Sequence, residues 1–217
     1  MIFTVITVSN ELRAYKVFET LNARGVKLSS TDLLKNYLFS LVHARSPSDL
    51  PEAERRWQRV TDDLAGEDFP IFARHLWNAT EALTRKQALF KAIKGRVRTS
   101  EQAFEFLERL ERNAPVYVAL GHPEDPLWTR EERPWLTLLK IFGISHFYPM
   151  ALAAWERQRE RSELARLFRV CAVTALRHGI CGFSLSPMED AYSRIALKVR
   201  SGEITTAAQV FRALHQA

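Results

Sequence analysis

Phe18-Glu19-Thr20-Leu21-Asn22-Ala23-Arg24-Gly25-Val26-Lys27-Leu28-Ser29-Ser30-Thr31-Asp32-Leu33-Leu34-Lys35-Asn36 spells a helix, a glycine stop, a short connector and a second helix. Leu12, Tyr15, Phe18 and Leu21 recur at helical spacing, and Gly25 stands where the last turn needs a residue tolerant of positive φ. Ser29 followed three residues later by Asp32 is a capping-box-like pair, and Leu28 and Leu33 occupy the two places of a hydrophobic staple. The second helix is therefore expected to begin near Ser30.

Outward from this stretch the chain reads as helix after helix. The expected spans are 51–64, 68–83, 86–96, 100–120, 134–143, 148–159, 162–178, 187–200 and 205–216. Ser100, Ser162 and Ser186-Pro187 serve as starts, and Gly66, Gly121, Gly143, Gly179 and Gly202 as stops. No fixed-period repeat stands out, which disfavours a solenoid against an irregular bundle. Upstream, Ile2-Phe3-Thr4-Val5-Ile6-Thr7-Val8 is β-rich and partly alternating, a strand candidate with no second strand of comparable quality to pair with. Either two copies pair through it or its sheet lies before Met1. Ser46-Pro47-Ser48-Asp49-Leu50-Pro51 is punctuation and marks the expected domain boundary.

The pattern Phe18-x-x-x-Asn22-x-Arg24-Gly25-x-x-Leu28-x-x-x-Asp32-Leu33-Leu34-Lys35-Asn36 resembles the signature that closes the ParB-like N-terminal domain of GmrSD-type, modification-dependent restriction and phage-defence proteins. Phe69 to Trp77 and Thr174-Ala175-Leu176-Arg177-His178-Gly179-Ile180-Cys181-Gly182 resemble the helical region that follows it in such proteins. The resemblance implies a mainly α fold: residues 1–45 as the strand-plus-two-helix remnant of a ParB-like domain, and residues 51–217 as an irregular multi-helix bundle. It also implies a missing sheet upstream and, as partners, that upstream portion, a nuclease domain and DNA. Family members carry an upstream Asp-Gly-Gln-Gln-Arg motif for nucleotide-dependent chemistry and often a downstream His-centred nuclease domain. Neither motif is recognisable here, so a nucleoside triphosphate is expected only in a longer parent, with no cofactor in this chain.

Asn22, Arg24, Gly25, Asp32, Lys35 and Asn36 are the candidates for nucleotide or phosphate binding, because helix N-termini and arginine suit anions. Local structure uses the same residue types: Asp32 can complete a cap, Arg24 can answer the negative end of the first helix, and Lys35 can be solvated. Three basic concentrations bear on DNA: Arg55, Arg56 and Arg59; Arg85, Lys86, Lys91, Lys94, Arg96 and Arg98; and Arg157, Arg159, Arg161, Arg166 and Arg169. Within the second, Lys91, Lys94, Arg96 and Arg98 stand at a helix exit and are the nucleic-acid candidates.

Catalytic constellations are not apparent. His146-Phe147-Tyr148-Pro149 matches a nuclease His-x-x-Pro element only superficially, since apolar runs on both sides make it a bend between buried helices. Glu105, Glu108 and Glu111 interleave with Arg109 and Arg112 as on a salt-bridged face, and Cys171 sits in an apolar stripe. His43, His75, His122, His178 and His215 form no metal-ligand spacing. The chain is read as non-enzymatic by itself, the alternative being a self-contained helical interaction module that dimerises through its N-terminal strand.

Composition agrees with a folded, basic protein. The 217 residues are 47% hydrophobic and carry 31 Lys and Arg against 25 Asp and Glu, which favours an acidic partner without requiring one. Two cysteines, no apolar run of about 18 residues and no signal-peptide pattern point to a reduced, cytoplasmic setting without a membrane partner.

Overall fold

A computed structural model of the chain describes residues 29–157, 160–180 and 186–215. The expected strand at Ile2 to Val8, the first helix and its Gly25 stop lie outside the described residues. Within them the chain is mainly helical, with ten α-helices, two 3-10 turns and no strand.

The packing of the described residues divides into two compact units, one built from 29–62 with 87–111, the other from 63–86 with those from 112 to 215. In the first, α1 (Ser30–Arg45) starts where the Ser29/Asp32 pair places it. The Ser29 hydroxyl accepts the Asp32 amide at 3.1 Å and donates to the Asp32 carboxylate at 2.6 Å. A 3-10 turn, Pro47–Asp49, leads into α2 (Leu50–Asp63). This punctuation, expected to divide domains, lies inside the first unit, because Phe39 of α1 packs edge-on against Trp57 of α2 at 6.2 Å. Leu34, Leu38 and Val42 of α1 and Ala53, Trp57 and Val60 of α2 are buried at helical spacing. After a second 3-10 turn, Lys86–Ala88, the short α4 (Leu89–Arg96) packs on α1. The start of α5 (Ser100–Gly121) completes the unit.

The second unit holds α3 (Phe69–Asn78), the rest of α5, α6 (Arg133–Ile141), α7 (Tyr148–Glu156), α8 (Arg161–Ile180), α9 (Ser186–Ser201) and α10 (Ala207–His215). Its centre is α7, where Met150, Ala151, Leu152, Ala153 and Ala154 are all buried in succession. A helix apolar all round must be enclosed, and α3, α8 and α9 pack against it. Its alanines let those neighbours approach closely.

Caps explain where the ends fall. Thr99, not Ser100, caps α5: its hydroxyl accepts the Gln102 amide at 3.3 Å while Gln102 reaches back to the amides of Arg98 at 2.8 Å and Thr99 at 3.3 Å. Thr206 and Gln209 repeat the device at α10, so that helix starts later than Thr205. Ser162, expected to open α8, lies inside the helix. The Asp68 carboxylate caps α3 through the Ile71 amide at 2.9 Å. That helix stops at Asn78 rather than near Leu83, because the Asn78 side chain accepts from the Thr84 amide at 2.9 Å and donates to its carbonyl at 3.3 Å. These two bonds hold residues 79–83 in a turn. Gly143 at φ 64° closes α6 in a Schellman arrangement, Ile144 N–H bonding Leu139 and Gly143 N–H bonding Lys140.

Candidate nucleic-acid interface

From Arg85 to Ser100 the sequence has six cations and no carboxylate. Such a run needs either distant carboxylates or solvent, and its backbone must be held from beneath if the charges are to keep a fixed arrangement. The hold comes from α1. Tyr37 is buried, and its hydroxyl donates to the Val97 carbonyl at 2.6 Å, with the Lys94 carbonyl at 3.4 Å. Its ring meets Phe90 edge-on at 5.9 Å. From the other side Gln102 takes the amides of Arg98 and Thr99. The Arg98 Nε donates to the Gly95 carbonyl at 2.8 Å, satisfying one acceptor of the last helical turn. The exit of α4 is thus a pinned elbow.

Lys91, Arg96 and Arg98 are exposed on this elbow. Lys94 is half-buried, its ammonium over the rings of Tyr37 at 5.8 Å and Phe90 at 5.9 Å. Cations at a helix C-terminus also complement the helix dipole, which stabilises them in place without a ligand. The elbow is chemically suited to phosphate, a polyanion needing charge rather than shape.

The other candidates fare differently. Asn22, Arg24 and Gly25 lie outside the described residues. Asp32 is committed to the cap on Ser29. Lys35 places its ammonium 5.4 Å from the Phe39 ring centre, and Asn36 is half-buried beside it. Tyr37 and Phe39 are two residues apart on α1, roughly 200° around the helix. The structure therefore puts Lys35 and Lys94 over different faces of α1.

The α2 arginines are paired with carboxylates. Arg56 is bonded to Glu52 at 3.0 Å and Glu111 at 2.9 Å, Arg59 to Glu111 at 2.6 Å, and Arg55 to Glu52 at 2.7 Å. From the third basic group, Arg161 lies against Trp128 and Trp155 and donates to the fully buried Glu132 at 2.7 Å, a structural pair that sequence reasoning missed. Glu132 also accepts the Thr129 amide at 2.8 Å, and its partner Arg161, 29 residues away, left no local signal of the pair.

His75 is 4% exposed and surrounded by Tyr117, Tyr148 and, on its own helix, Arg74. Burial, with Arg74 and His146 adding to it, lowers its pKa to about 3. Burial likewise raises Tyr117 above its ordinary value and Tyr148 to about 12. All three stay neutral at neutral pH, a packed aromatic cluster rather than an acid–base pair. His146 is half-buried in the bend before α7. Cys171 is fully buried, and burial pushes its thiol far up. A polar cleft of about 310 Å³ lies among Arg112, Asn113, Trp155, Glu156 and Arg200, where Glu156 accepts from Asn113 at 3.0 Å and from Arg200 at 3.4 Å.

Among the described residues no group of three or more His, Cys, Asp and Glu could hold a metal ion, and no helix is long and apolar enough to cross a membrane. No family model, curated protein or solved structure matches the chain.

Proposed function

We propose that this chain is a helical scaffold portion of a GmrSD-like restriction protein that contacts the DNA backbone through the α4 elbow and has no complete catalytic centre of its own. The DNA part rests on one observation: Tyr37 and Gln102 pin the backbone around Val97, so that Lys91, Arg96 and Arg98 are held exposed in a stretch without a carboxylate. The family part rests on the resemblance of residues 18–36.

Phosphate contact of this kind is sequence-tolerant, weak and strongly dependent on salt. Four contacts correspond to a log-log salt slope near −3.6 in order of magnitude. Fluorescence anisotropy with labelled duplexes of unrelated sequence, across a salt series, is expected to give that slope, and the Lys91→Ala, Lys94→Ala, Arg96→Ala, Arg98→Ala quadruple variant is expected to flatten it. No binding at low salt, or an unchanged slope in the quadruple variant, removes the elbow as a DNA site and leaves the helical interaction module as the better reading. Turnover of nucleoside triphosphate or cutting of DNA by the purified chain would overturn the non-catalytic part.

A further inference from the structure

A groove of about 630 Å³ runs between α8 and α10. Arg166, Arg169 and Arg177 of α8 and Arg212 of α10 rim it, all exposed, and no carboxylate lines it. Arg166 has Glu163 at 2.5 Å. Arg169 and Arg177 lie instead over the rings of Trp135 and Phe211, and no carboxylate among the described residues is paired with either of them or with Arg212. The floor is aliphatic: Val170 and Val173 from one helix, Ala207 and Ala208 from the other. Small floor residues keep the two helices' facing surfaces low, and Leu176, 42% exposed, adds apolar surface on α8.

We infer that this groove docks an acidic amphipathic helix of a partner protein, its apolar stripe on the valine–alanine floor and its carboxylates on the arginine rim. Dimension, backbone chemistry and charge each select that occupant. Arg166 to Arg177 spans about 16 Å, the length of three helical turns. A peptide bound by strand addition would need a sheet edge, and the described residues contain no strand, while a polyproline segment would need an aromatic-lined groove, and Phe211 is the one aromatic in the lining. Single-stranded nucleic acid would need an open ring face for stacking, but the one aromatic lining the groove, Phe211, has Arg177 over it and the His215 ring tilted against it at 4.0 Å. The three guanidiniums without a carboxylate, Arg169, Arg177 and Arg212, beside an aliphatic floor match alternating carboxylates and leucines instead. Glu163 fixes the geometry, because one of its oxygens holds Arg166 while the other accepts the Ala207 amide at 3.0 Å and so anchors the start of α10 beside the rim.

The test uses the full chain and a labelled helical peptide of about four turns, leucine at i, i+3, i+4 and i+7 and glutamate elsewhere. A scrambled peptide of the same composition and a labelled DNA duplex serve as comparators. Saturable binding of the amphipathic peptide is expected, at least about tenfold tighter than the scrambled one at ~0.15 M salt, where pure surface charge is screened. Arg212→Glu and Ala208→Trp, both at exposed positions, are each expected to weaken it by about tenfold or more, with circular dichroism unchanged and duplex binding unaffected. Absent binding, equal binding of the scrambled peptide, or indifference to Ala208→Trp would overturn the inference. So would duplex DNA competing with the peptide and losing affinity in the same two variants, which would assign the groove to nucleic acid. Duplex binding through the elbow reads out separately, so either assignment can fail alone.

Discussion

Two basic segments of the same compact unit, α2 and the exit of α4, hold their cations in different ways. On α2, Arg55, Arg56 and Arg59 are answered by Glu52 one turn away and by Glu111 on α5. At the α4 elbow the stretch holds no carboxylate of its own, its backbone is held by Tyr37 and Gln102, and the Arg98 guanidinium donates to the Gly95 carbonyl. Density of cations along a sequence therefore does not measure the charge a surface offers. What matters is whether the fold returns a carboxylate to it.

His75 carries the contrast furthest, as a basic residue that burial holds neutral. Its native pKa of about 3 lies below the ordinary 6.5, so below pH 6.5 the unfolded chain binds a proton that the native chain refuses. Its contribution is complete above pH 6.5 and lost as pH falls toward 3, by about 1.4 kcal/mol per pH unit. The facing groups, Tyr117, Tyr148, Arg74 and His146, offer it no carboxylate to offset the charge. Urea midpoints measured across that range are expected to fall with acid, and His75→Phe is expected to flatten the fall by one proton's worth. An equal slope in the variant would show that His75 titrates normally.

Next in size is the elbow itself. Raising salt from about 50 to 200 mM is expected to weaken duplex binding roughly 150-fold if four phosphates are contacted. Replacing Arg55, Arg56 and Arg59 together by alanine is expected to leave this curve within about twofold, since Glu52 and Glu111 offset two of the three charges. A loss matching that of the elbow variant would erase the distinction between the two segments.

Glu111→Gln converts one segment toward the other. It leaves Arg56 with Glu52 alone and Arg59 short of its nearest carboxylate, costing about 1 kcal/mol because the pairs are partly exposed. Thermal melting is expected to report that loss while the salt slope of duplex binding steepens. An unchanged slope would mean that α2 is screened by something other than Glu111. The smallest effect belongs to Tyr37→Phe, which removes no charge. It deprives the buried Val97 carbonyl of its hydroxyl donor, costing about 1 kcal/mol of stability, and is expected to weaken duplex binding only a few-fold through loosening of the elbow. Affinity identical to the parent would show that the clamp does not organise the cations.

The same contrast explains what was legible in the sequence. Among the described residues helix type was readable because period and capping act within a few residues: Ser29 and Asp32 place the start of α1, and Gly143 the end of α6. Ends set by side chains that skip a loop were not, as at Asn78, where the bridge to Thr84 replaces more than a turn of expected helix. The Thr99/Gln102 and Thr206/Gln209 caps were local and readable, but neighbouring Ser100 and Thr205 offered equally good chemistry. Of the candidate site, the cations at the elbow were visible as composition and Tyr37, their clamp, was not, because it lies 60 residues from Val97. Glu111 and Arg56, 55 residues apart, are a further case, as is the groove, whose rim combines α8 with Arg212 of α10.

The burial of Cys171 gives the second unit a clock. A thiol with no exposure and a raised pKa cannot react with maleimide until α8 leaves its neighbours. In a Cys181→Ser background, with one thiol per chain remaining, the labelling rate at saturating reagent therefore counts openings per unit time. Read with an acidic helix bound in the adjoining groove and again without it, that rate measures in seconds how far the ligand slows the helix in coming away.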